Sequence, residues 1–165
     1  MLKQLTALAA LCALSFAYAE EVTITGNVQS KCVISTDTAG VYGNPTADKL
    51  STDPNDGGVM PVVRYDVALG GYYIARMTTP TSFSSSPSLS DVVNWTGSTS
   101  VKEVSDAAMA DYDANKVVYN TTSEFDLHTA GSTWFKVSST AMYGYNKAFP
   151  GGTYRAVVLA ECIAK

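Results

Sequence analysis

The chain is 165 residues long and acidic, with 15 Asp and Glu against 11 Lys and Arg, and only 16% of it is charged. That balance argues against nucleic acid, whose phosphates are held by Lys and Arg clusters, and against adhesion to anionic lipid. Hydrophobic residues make up 46%, enough for one domain with a core. The wealth of Ser, Thr, Gly, Val, Ala and Tyr points to an all-β fold of short strands and turns.

Residues 1–19 have the three-part layout of an export signal. Met1-Leu-Lys3 is a short basic start, Leu5 to Tyr18 is apolar apart from Thr6 and Ser15, and Ala17-Tyr18-Ala19 is a small-x-small cleavage site. The apolar run falls short of the roughly 20 residues that a spanning helix requires. Leu11 ahead of Cys12 is too large for a lipoprotein cleavage box. Cleavage after Ala19 removes Lys3 and makes the net charge one unit more negative than −4. It also removes Cys12, leaving Cys32 and Cys162. In an oxidising compartment two cysteines most simply join each other; two buried thiols or a metal site are the alternatives. Metal is disfavoured, because the single histidine, His128, has no partner at ligand spacing.

From Glu21 the chain alternates, with Val22, Ile24, Gly26 and Val28 on one face and Thr23, Thr25, Asn27 and Gln29 on the other, the pattern of a half-buried strand. Cys32 to Ser35 reads as a short second strand or a continuation. Thr36 to Gly58 is rich in turn residues. Val59 to Leu69 is a core-strand candidate with Pro61 at its edge or start. Gly70-Gly71 signals a hairpin into Tyr72–Met77. Thr78 to Ser90 is a Ser/Thr/Pro loop. Short strands are expected at Asp91–Trp95 and Ser100–Val104, about Thr96-Gly97. Asp106 to Tyr112 is a helical turn. Further strands are expected at Lys116–Tyr119, Glu124–Leu127, Thr133–Val137 and Thr140–Tyr145, and a long last one at Thr153–Ile163. Short strands separated by turns suggest a β-sandwich.

No catalytic constellation stands out, and no enzyme activity or cofactor is expected. A Ser-His-Asp triad would have to use His128, which alternates as a surface or edge residue of a strand. Asp53-Pro-Asn-Asp-Gly-Gly58 has calcium-loop residues, but its twelfth position is Arg64 where a bidentate Glu belongs, so a turn is expected. Asn94-Trp-Thr96 and Asn120-Thr-Thr122 fit the N-glycosylation pattern. Trp95 and Trp134 are read as packing residues ahead of ligand platforms.

The two ends carry the strongest signal. Glu21-Val-Thr-Ile-Thr-Gly-Asn-Val28 follows the cleavage site, and Gly152-Thr-Tyr154 leads into Val157-Val-Leu159 at the other end. Together with Val93-Asn-Trp-Thr-Gly97, the Ala-rich turn at 107–110 and Ser123-Glu-Phe-Asp-Leu127, in that order, the chain resembles the chaperone–usher fimbrial subunits. It is most similar to the major pilins of the alternate, colonisation-factor type. The cysteines depart from the family, since the usual pair lies within the first third of the domain.

The resemblance implies an immunoglobulin-like sandwich missing one strand, completed by a donor strand from a neighbouring subunit. Its organisation would be a signal peptide at 1–19, a donor arm at 20–31 and a pilin-like domain at 32–165. Val22, Ile24 and Val28 would fill the groove of the next subunit, with Gly26 at a tight position. Tyr154 and Val158 would lie in the acceptor groove, unless the alternate face, Val157 and Leu159, points inward. The implied partners are identical subunits in a filament, a periplasmic chaperone, an outer-membrane usher and a host or matrix glycan, with no nucleic acid. The implied location is a cell-surface fimbria reached by export through the inner membrane. The competing expectations are a secreted, monomeric carbohydrate-binding or adhesive β-sandwich and a hydrolase built on His128.

Overall fold

The computed structural model describes Thr25, Asn27 and residues 31–145 and 147–165. The expected signal peptide and the arm residues Val22, Ile24, Gly26 and Val28 lie outside the described residues. The described chain forms β1 (Cys32–Thr38), β2 (Gly43–Thr46), β3 (Lys49–Ser51), β4 (Val62–Val67), β5 (Tyr73–Thr78) and β6 (Val93–Val104). These are followed by β7 (Val117–Tyr119), β8 (Thr122–Leu127), β9 (Gly131–Tyr143) and β10 (Leu159–Ala164). The fold is all-β, with two short 3-10 turns at Pro54–Asp56 and Ala107–Met109.

The strands form two antiparallel sheets in a sandwich-like arrangement. The first runs β1-β4-β9-β3-β2, with β6 on the other side of β9, and the second runs β10-β5-β8-β7. Period-two alternation drives this pairing. In β4, Val63, Tyr65 and Val67 turn inward while Arg64 and Asp66 turn outward. In β8, Ser123, Phe125 and Leu127 are buried. The inner faces meet at Phe125 and Phe135, with ring centroids 4.5 Å apart, and Tyr65 sets its ring edge-on to Phe135 at 5.5 Å. Met77 and Ala75 complete this centre, where each is fully buried. Burying a large apolar side chain contributes roughly 1.5–3 kcal/mol.

A polar tie crosses between the sheets. The Tyr65 hydroxyl donates within 3.2 Å of both the Arg76 and the Glu161 carbonyl oxygens. Burial pushes the Tyr65 phenol well above its ordinary range, so it stays a donor. Cys32 and Cys162 form a disulfide, with Cα atoms 6.3 Å apart. It joins β1 to β10, the edge strands of the two sheets on the same side of the sandwich.

Five expectations are corrected by the pairing. Gly70-Gly71 does not close a hairpin, because β4 belongs to the first sheet and β5 to the second. The glycines serve the crossing: Gly71 has φ +83°, and a Cβ on Gly70 would sit 2.3 Å from the His128 carbonyl oxygen. The two strands expected about Thr96-Gly97 are one, and so are the two expected at Thr133–Val137 and Thr140–Tyr145, since β6 and β9 pair with each other from Tyr143 to Thr133. Gly97 is tolerated there because the Ser138 carbonyl and the Thr79 side chain approach it closely. The turn-rich stretch before Gly58 contains the β2–β3 pair, recruited by the burial of Leu50 and Ser51 beside β9. Finally, the terminal strand begins only at Leu159. Its partner β5 ends at Thr78, so the residues before 159 have no strand left to follow.

Candidate functional site

The two sheets differ in length. The second covers the first only as far as the rung Leu159–Thr78–Thr122. Beyond it, β3 and the paired far ends of β6 and β9 carry an inner face with no strand above it among the described residues. Irregular segments cover part of that face with aromatic rings. Phe83 is the hub, with centroids 4.7 Å from Trp95, 5.0 Å from Tyr154 and 6.0 Å from Phe149. Phe149 stacks on Tyr143 at 5.1 Å, and the Tyr154 hydroxyl donates to the Pro150 carbonyl at 2.6 Å.

One flank of this region is open. A cleft of 770 Å³ lies between the end of β1, at Thr36 and Thr38, and the segment Gly152–Val158. Leu50, Pro61, Val63, Ala156, Val157 and Val158 supply apolar walls. The floor is more polar. Tyr42 and Ser139 share a hydroxyl hydrogen bond of 2.8 Å, and Thr52 Oγ1 accepts from the Ser139 amide at 2.9 Å. Partial burial raises the Tyr42 phenol pKa against the opposing effect of Ser139.

The backbone bordering the cleft has a directional arrangement. Arg155 exchanges hydrogen bonds with Ser85, and the Lys165 amide donates to the Tyr72 carbonyl. An extended residue that exchanges both bonds with an antiparallel neighbour turns its N–H and C=O to the same side, and the sides alternate along the chain. Odd-numbered residues from 155 to 165 therefore face β5 and the loop after it. Tyr154, Ala156 and Val158 turn their donors and acceptors to the open side, where they meet no backbone partner among the described residues. Opposite them, β1 pairs with β4 and, among the described residues, with no other strand.

The residues singled out in the sequence fall as follows. Cys32 and Cys162 are bonded to each other. Tyr154 and Val158 both line the cleft. Val158 packs against the core cluster, while Val157, which also lines the cleft, and Leu159 are 63% and 53% exposed. Trp95 packs on Phe83, and Trp134 lies under the Arg64 guanidinium at 5.0 Å. Asp53 caps the turn by accepting from the Asn55 amide, and Asp56 pairs with Lys49 at 2.7 Å. His128 is at the surface, 3.1 Å from Asp111 and edge-on to Tyr112. Thr36, Tyr42, Leu50 and Ser139 line the cleft without having been singled out. No local sequence pattern pointed to them.

No protein-family model, no curated protein and no solved structure matches this chain.

Proposed function

We propose that the chain is the structural subunit of a surface fimbria, an immunoglobulin-like pilin that polymerises head-to-tail by donor-strand exchange. The observation that carries this reading is the cleft between the outer edge of β1 and the segment Gly152–Val158, which has apolar walls and, among the described residues, no strand laid in it. An exposed edge of this kind is a template for strand addition and an aggregation hazard unless it is filled. The alternating segment 20–31 has the pattern to fill it, with Val22, Ile24 and Val28 inward and Gly26 where the fit is tight. A contact between the arm of one copy and the cleft of the next is heterologous, so it propagates a filament. A periplasmic chaperone would fill the cleft before assembly, and an outer-membrane usher would exchange one strand for the other. Such a fibre would support adhesion or biofilm formation.

A second reading, a monomeric glycan-binding domain, draws support from Tyr42 and Tyr154 in the cleft wall, beside Thr52 and Ser139. Aromatic faces with neighbouring hydroxyls suit a sugar. Deleting residues 20–31 separates the two. On the fimbrial reading, intact protein forms filaments visible by electron microscopy, and the deletion leaves monomers that a synthetic 20–31 peptide occupies. Intact protein that elutes as a stable monomer and binds glycans in the cleft would favour the second reading.

A further inference from the structure

We propose that the Cys32–Cys162 bridge is the end stop of the cleft and fixes the register in which a strand lies in it, an inference that rests on the strand-docking reading above. One border of the cleft is β1 and the other is the segment that runs directly into β10, and the bridge joins β1 to β10. Thr36 and Val158 line the cleft, and each is four residues from its cysteine, roughly 13 Å along an extended chain. Between them, Ile34 and Ala160 pack against the core from either side. The edges are therefore pinned together at one end and part toward the other.

Spacing turns the pin into a stop. Neighbouring strands lie about 4.7–4.9 Å apart, so a strand laid between two edges needs them roughly 9–10 Å apart. At the bridge the Cα atoms are 6.3 Å apart, which leaves no room. A docked strand can run along Gly152–Val158 and must end near Ile34 and Ala160. The occupant is residues 20–31 of a second copy. Its apolar alternation from Val22 to Val28 covers as many positions as the cleft wall from Gly152 to Val158.

Alternation by itself does not select a register. A slip of one residue turns every side chain to the wrong face, but a slip of two restores the pattern. Val22, Ile24 and Val28 could then exchange places along an apolar wall. A fixed end removes that degeneracy, because a strand displaced toward the bridge collides with it and one displaced away leaves apolar wall uncovered.

The test is a synthetic 20–31 peptide carrying a photo-cross-linker in place of Ile24, added to the full chain, with the cross-linked residue located by mass spectrometry. The intact bridge should give one attachment position along 152–160. The Cys32→Ala/Cys162→Ala variant should add positions displaced by two residues toward 162. The same single position in both proteins would overturn the proposal. Attachment outside the cleft in both would overturn the strand-docking reading with it. A measurement on the unaltered protein guards against a variant that does not fold. There the cross-linker is moved along a peptide extended by four alanines at each end. Attachment should stop at Ala160 and Ile34, and attachment at Ile163 or Val33 would overturn the stop.

Discussion

The bridged half of the sandwich and the half beyond the Leu159–Thr78–Thr122 rung are built on one continuous strand, β9, yet they differ in what faces it. Over Thr133–Val137, β9 meets β5 and β8, and Phe135 and Val137 are wholly buried. Over Ser139–Tyr143 the inward residues Ser139, Ala141 and Tyr143 are buried as well, but under rings carried on loops, and a cleft opens beside them. The difference comes from strand supply. The same alternation serves both halves, but the second sheet stops short. Where sheet meets sheet, strands close the core; where no described strand covers β9, loops close it and leave a cleft at one flank.

Removing the bridge should have the largest effect on this contrast. The Cys32→Ala/Cys162→Ala variant releases a loop of sequence separation 130, worth about 4–5 kcal/mol in the chain-entropy description, measured as the loss in urea unfolding free energy. Phe135→Ala should follow at about 3–5 kcal/mol, since it empties a closed core. Phe83→Ala should cost less, about 1–3 kcal/mol, because the half-buried loops around it can relax into the space. If Phe83→Ala proves as costly as Phe135→Ala, the aromatic end is a second closed core and the contrast fails.

Two smaller effects sharpen the picture. Thr99 is 1% exposed and its hydroxyl has no hydrogen-bond partner among the described residues. Thr99→Val should therefore be neutral or stabilising by up to about 1 kcal/mol in thermal unfolding. On the outer face of the second sheet, Glu124 is held below the usual carboxylate range. The Tyr119 hydroxyl donates to it, and the Arg76 guanidinium does so as well, each at 2.7 Å. A carboxyl lowered in the fold contributes stability above its unfolded pKa and loses it as pH falls through the folded one. Glu124→Gln should thus have a slightly lower urea midpoint than the parent at pH 7, with the gap closing below about pH 4.

Much of the sandwich was legible because alternation is a local signal. β4, β5 and β8 follow directly from runs such as Val62–Val67 and Thr122–Leu127. Pairing partners were less legible. Gly70-Gly71 looks like a hairpin turn, and only the contact with the His128 carbonyl distinguishes a crossing between sheets. Thr96-Gly97 looks like a break, and only the reach of β9 keeps β6 whole. The cleft shows the same limit. Tyr154 and Val158 stood out because they flank a terminal apolar run. Tyr42 and Ser139 lie 97 residues apart and meet through one hydrogen bond, which no local pattern encodes. The count of two cysteines in the expected exported chain made the bridge legible, and the structure adds which edges it joins.

The most direct test of strand docking is backbone hydrogen exchange of the full chain with and without the synthetic 20–31 peptide. The account predicts slowed exchange at the Tyr154, Ala156 and Val158 amides, whose donors face the open side, with β8 unchanged. Unchanged exchange at those three amides in the presence of saturating peptide would contradict it.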